Sequence, residues 1–127
     1  MGGVLAVVDD LFFLAKLEET ARQVGVELAT VRAADFRLES VRQQQPALAI
    51  FDLNATSGNA VELVRQLKAD GELAQIPVLA FLSHVQVDLQ RAAQQAGCDQ
   101  VLPRSQFTAT LPALLQRFAA PSDPPPP

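Results

Sequence analysis

A single cysteine, Cys98, occurs in the chain, so no internal disulfide can form. A single histidine, His84, accompanies it, and a cysteine-based zinc site is excluded. Aromatic residues are scarce, at 6%, and all are phenylalanine, so the core must be built mainly from Leu, Val, Ala and Ile. Positive charge is in deficit: 10 Lys and Arg stand against 14 Asp and Glu, a net charge of -4. That argues against a non-specific nucleic-acid binder, which needs a basic surface to displace counterions. It argues equally against docking on anionic lipid. No apolar run approaches the roughly 20 residues that span a bilayer. After Met1, Gly2 and Gly3 the chain enters a strand-like run, without the basic segment and long apolar stretch of a secretory signal. The expected location is therefore the cytoplasm. The glycine fingerprint of dinucleotide binding is also missing.

What is present suits one domain: 127 residues, 49% of them hydrophobic. Five short apolar runs recur, at residues 4–8, 26–31, 47–53, 78–82 and 100–102. Most are near-continuous, as strands covered on both faces should be. The second, with Glu27 and Thr30, is the most polar and is expected nearer an edge. Between the runs lie amphipathic helices. In 11–24, Phe13, Leu17, Ala21 and Val24 share a face; in 35–44, Leu38 and Val41 do, and Pro46 ends the helix. Asn59 and Glu62 form a capping pair for a helix to about Lys68, with Val61, Val64 and Leu67 inward. A helix over 87–96 ends at Gly97, and a last one covers 110–118, with Pro112 in its first turn. Strand and helix alternate five times with short connections. This predicts an α/β fold: a five-stranded parallel sheet with helices on both faces. Residues 1–119 form the domain; 120–127 are a disordered proline-rich tail.

In an open parallel sheet, ligands bind beyond the carboxyl ends of the strands. Strand one ends in Asp9 and Asp10, strand three in Asp52; strand four runs into Ser83 and His84, and Arg104 follows strand five. Three carboxylates gathered at one edge repel each other. They raise a pKa or recruit a cation, and hard oxygen ligands suit magnesium. Arg104 relieves part of the same repulsion through an ion pair. The plainer role for Asp9 and Asp10 is to cap the first helix. Of the two phenylalanines that follow, Phe13 belongs to the core face and Phe12 should lie nearer the rim, although the core is the default for both. Cys98 is expected to be a small buried hydrophobe.

Four segments, Val7-Val8-Asp9-Asp10, Ala49-Ile50-Phe51-Asp52, Ile76-Pro77-Val78-Leu79-Ala80 and Gly97-Cys98-Asp99-Gln100, resemble in order and spacing the receiver domain of bacterial response regulators. The likeness runs to about Phe118. It implies the flavodoxin-like (βα)5 topology of that family, with Asp52 as phosphoryl acceptor. It also implies that Asp9, Asp10, Asp52 and the backbone carbonyl of Asn54 are Mg2+ ligands. The family lysine falls on Arg104, which keeps the charge but is bulkier. The usual strand-four Thr or Ser falls on Leu82, with Ser83 one residue later as a substitute hydroxyl if a bulge re-aims it. The strand-five aromatic falls on Val101. The proline after the lysine is replaced by Ser105, while Pro103 precedes Arg104.

The resemblance implies a stand-alone signalling domain of a two-component or phosphorelay system, not an enzyme with turnover. Its partners are a histidine kinase or phosphotransfer protein and a downstream protein on the face of helix four, strand five and helix five, with a homodimer also compatible. Leu82 and Val101 lack the hydroxyl and aromatic of the familiar relay. Together with Arg104 in place of the lysine they favour the alternative, a phosphorylation-independent pseudo-receiver that acts as a protein-interaction module, whereas the intact acidic triad favours the first reading. A small flavodoxin-like enzyme fits less well, since Asp9-Asp10-Leu11-Phe12 stands where a phosphate loop would be.

Overall fold

Alternate residues of three successive strands face two different cores. Val4, Ala6, Val8, Leu48, Ile50, Leu79 and Phe81 join one buried cluster. Leu5, Val7, Ala49, Phe51, Val78, Ala80 and Leu82 join the other. This is why the runs read as continuous in sequence: each strand is covered above and below. The computed structural model describes residues 3–83 and 86–117. The chain order is β1 (Val4–Val7), α1 (Leu11–Val24), β2 (Leu28–Val31), a 3-10 turn (Ala33–Asp35) and α2 (Leu38–Gln44). It continues through β3 (Leu48–Asp52), α3 (Ala60–Ala69), β4 (Val78–Leu82), α4 (Val87–Ala96), β5 (Gln100–Pro103) and α5 (Arg104–Arg117). All neighbouring strands are parallel, in the order β2-β1-β3-β4-β5. Helices α1 and α5 pack together, as do α3 and α4. β2 is an edge strand, as its polarity suggested.

The α1–α5 face is centred on three phenylalanines. Phe13 lies 4.7 Å from Phe81 and 5.7 Å from Phe107, and Phe81 stacks on Phe107 at 4.8 Å between centroids. Each such pair adds about 1 kcal/mol to simple area burial. Phe12, one residue earlier, is 92% exposed, because helical geometry turns it away from Phe13. The core default therefore fails for Phe12.

Several boundaries differ from the sequence expectation. Val26 belongs to the C-cap of α1, not to β2: Gly25 is left-handed and the Val26 N–H donates to the Ala21 carbonyl at 2.9 Å. The expected helix over 35–44 is interrupted because Phe36 adopts an extended conformation and buries its ring 5.7 Å from that of Phe51. The last helix begins six residues earlier than expected, at Arg104, and carries Pro112 in its interior. Burial of Phe107, Leu111 and Leu115 drives the earlier start. Pro112 sits on the exposed side, where water can serve the carbonyl that its missing N–H leaves free. Phe118, His84 and the tail 120–127 lie outside the described residues. Among the described residues no helix is long and apolar enough to cross a membrane.

At the amino ends of the strands, Lys68 of α3 joins three segments. Its Nζ donates to the carbonyls of Ala74 at 3.0 Å and Ile76 at 2.7 Å and lies 3.4 Å from Asp99. Asp99 in turn accepts from the Val78 N–H at 2.7 Å. Gly97, with φ 115, presses on this group: a Cβ there would meet Lys68 Cγ at 2.7 Å. Gly97→Ala should therefore destabilise the fold by roughly 1–3 kcal/mol, since it adds left-handed strain to a steric clash. Gly71→Ala, where a Cβ meets nothing within 4 Å, should stay within about 0.5 kcal/mol. Urea unfolding followed by far-UV circular dichroism measures both.

Candidate functional site

Asp52 is the last residue of β3, on the same side as Leu48 and Ile50, so its carboxylate faces the α1–α5 layer. It is 3% exposed. Oδ1 accepts the Asn54 N–H at 2.9 Å. No donor among the described residues reaches Oδ2. With Asp9, Asp10, Asn54, Thr56, Ser83 and Arg104 it lines a cleft of about 260 Å³ at the carboxyl ends of the strands. Burial pushes the Asp52 carboxyl above its ordinary pKa. The charges of Asp10 and Asp9 add to that rise, while the Asn54 N–H and Arg104 oppose it. A larger cleft, about 330 Å³, opens at the opposite end of the sheet, but Glu27 is its one charged lining residue and it has no comparable chemistry.

Asp10 serves two masters. Its Oδ1 caps α1, accepting from Phe12 N–H at 2.9 Å and Phe13 N–H at 3.2 Å. Its Oδ2 accepts from Arg104 Nη2 at 3.2 Å. The Phe13 N–H is the main cause of a lowered pKa, burial opposes it, and Phe12 and Arg104 reinforce it. Asp9 is committed elsewhere. Its Oδ1 accepts from the Ala33 N–H at 2.9 Å, and its Oδ2 from those of Thr56 at 2.9 Å and Ser57 at 2.6 Å. Burial alone would raise its pKa, but these hydrogen bonds together bring it below the ordinary value. Ser57 Oγ also accepts from the Ala34 N–H at 2.9 Å, which closes the same two loops together.

The three acids thus line one cleft without converging. Among the described residues no three Asp, Glu, His or Cys side chains form a metal-binding group by themselves. The reason is Asp9, whose two oxygens are taken up by loop N–H groups. What remains, two carboxylates and the carbonyls of the β3–α3 loop, suits a cation that keeps several waters. Magnesium does, binding through one or two carboxylates. The open Asp52 oxygen, beside like charge, fits such an ion.

The neighbouring loop is held by Asn54. Its Oδ1 accepts from the Ser83 N–H at 2.7 Å and the Ser83 hydroxyl at 3.0 Å, and its Nδ2 donates to Gln86 Oε1 at 3.0 Å. Ser83 lines the cleft, but its hydroxyl is already donated. Thr56, Ser57 and Gln86 had no signal in the sequence; they enter through loop geometry alone. Leu82 is 1% exposed in the core of the α3–α4 side, and Val101 packs partly buried against that same cluster. Cys98 is half-buried against that core too, and burial pushes its thiol up to about 12.

No family model matches the chain. It is 32% identical over 119 residues to the transcriptional regulatory protein PrrA of Mycobacterium tuberculosis, which covers 90% of this chain and 50% of that one. The chain thus spans about half the length of this curated relative. Among solved structures, the chemotaxis response regulator CheY4 of Vibrio cholerae superposes with TM-score 0.78 at 21% identity. The match covers 93% of this chain and 98% of that one. The receiver domain of the sensor histidine kinase PA1611 from Pseudomonas aeruginosa, solved with magnesium in its active-site cleft, gives TM-score 0.78 at 20% identity. It covers 91% of this chain and 95% of that one. These likenesses show the fold.

The raised pKa of Asp52 makes a stability prediction. Its carboxyl binds a proton more readily in the folded chain than at the unfolded value of 3.8. Its favourable contribution is therefore complete below that value and is lost as pH rises through the higher folded one. Asp52→Asn, which keeps the acceptor for the Asn54 N–H, should unfold at higher temperature than wild type near pH 7, by roughly 4 °C for about 1 kcal/mol. The difference should vanish at acid pH. Calorimetric melting across the pH range measures it.

Proposed function

Because the chain is a receiver domain of the response-regulator family, we propose that it is a signalling module whose Asp52 accepts a phosphoryl group from a phosphohistidine donor. One observation carries this reading: a buried strand-end carboxylate with one oxygen pinned by Asn54 and the other open to the cleft. The open oxygen attacks phosphorus, the phosphorus–nitrogen bond breaks, and its electron pair returns to the donor imidazole. The Asn54 N–H fixes the carboxylate's orientation, and burial makes the oxygen a stronger base. Asp10, Asp52 and the Asn54 main-chain carbonyl would hold Mg2+, with Asp9 supporting the two loops around it. The ion supplies neutralisation of charge on the transferring oxygens. Arg104 stands where the family has lysine, a cation for the phosphoryl group, and Ser83 could offer its hydroxyl only by leaving Asn54.

The donor is a histidine kinase or phosphotransfer protein, and output passes by protein contact through the α4–β5–α5 face. A second reading, a partner-binding module that needs no phosphoryl group, is favoured by apolar Leu82 and Val101 and by the Asn54–Ser83 clasp. Incubation with acetyl phosphate and Mg2+, read by intact-protein mass spectrometry, separates the two. Wild type should gain one hydroxylamine-labile phosphoryl group and Asp52→Asn none. A wild type that stays unmodified would leave the second reading.

A further inference from the structure

Arg104 is held where neither its helix nor its hydrogen bonding favours it. It is the first residue of α5, the end at which the helix dipole disfavours a cation. Its Nε is buried with no hydrogen-bond partner among the described residues. What holds it are Asp10 Oδ2 at 3.2 Å and the aromatic faces beneath: its guanidinium carbon lies 4.7 Å from the Phe13 centroid and 5.7 Å from that of Phe81. Phe81 is also the register partner of Asp52, so the guanidinium lies beside the acceptor strand end.

We propose that Arg104 is the resident cation of the acidic cleft, and that it and a divalent ion are alternatives at Asp10. The inference rests on the cation site proposed above. Asp10 has one oxygen to give: Oδ1 is occupied by the N–H groups of Phe12 and Phe13, and Oδ2 by Arg104. An ion that binds Oδ2 meets a positive charge on the same atom. Arginine cannot yield by losing its proton, so it must move. An arginine whose Nε is unsatisfied loses less on leaving than a fully bonded one. Its departure uncovers the Phe13 ring, directly beneath the start of α1. Arg104 is thus a positioning residue that sets the affinity for the divalent ion and links ion binding to the α1–α5 layer.

Titration of the full chain with MnCl2 alone, without phosphodonor, tests this by calorimetry at low ionic strength. Arg104→Gln should bind Mn2+ about tenfold more tightly than wild type, and Arg104→Lys, which keeps the charge without the planar stack, by an intermediate factor. Arg91→Gln, the same charge change on the outer side of α4, should stay within about twofold. In parallel, saturating wild type with Mg2+ should shift the NMR signals of the Phe13 ring and the Arg104 Nε–H. Equal affinity of wild type and Arg104→Gln, or unmoved Phe13 and Arg104 signals at saturation, would overturn the competition while leaving the cation site intact. Absence of Mn2+ binding in every variant would overturn both. Tight, competitive binding without phosphorylation of Asp52 would sink only the phosphoryl-acceptor reading.

Discussion

An ionised carboxylate at the end of a strand buried on both faces is the constraint around which this protein is arranged. Asp52 is the one buried acid among the described residues, and water cannot screen it well. Something must therefore balance it. One N–H from its own loop and one guanidinium from the far end of the chain do so here. The positive charge comes from 94 residues beyond the Asp10 that holds it. The closure of the sheet by β5 and α5 is therefore part of the site.

Asp9 and Asn54 do for the rim what Arg104 does for charge. Asp9 gathers the loops after β2 and β3, and Asn54 gathers those after β3 and β4. Side-chain bonds thus run continuously along the carboxyl edge from Ala33 to Gln86. Removing the Asp9 carboxylate would leave three backbone N–H groups unpaired and removing the Asn54 side chain one, that of Ser83, at a cost of about 1–3 kcal/mol apiece where they are shielded from water. The cleft is a braced opening, and its loops are positioned before any ligand arrives. That bracing suits fast, low-reorganisation binding more than large loop movement.

Much of this was legible in the chain itself. The strands showed as short apolar runs because a sheet covered on both sides needs no polar alternation, and the start of α1 and the end of α4 showed through Asp10 and Gly97. The strand ends then named Asp9, Asp10, Asp52 and Arg104. The start of α5 did not show, because Phe107 is the lone apolar anchor in its first turns and Pro112 reads as a beginning. Nor could the sequence say that Asp9 turns to the loops, that Ser83 gives its hydroxyl to Asn54, or that Arg104 lies on Phe13. Those contacts join residues 24 to 94 positions apart, and only the assembled sheet edge decides which acceptor each donor meets.

The Lys68 junction beneath the sheet has a mechanical consequence. One ammonium group ties the end of α3 to the entry of β4 and to the turn before β5, while at the opposite tip of α4 Gln86 accepts a hydrogen bond from Asn54. The turn that follows α4 is thus pinned by charge at the foot of the sheet, while its leading end is joined to the cleft by an amide pair, so the two ends of one helix answer to opposite rims of the molecule.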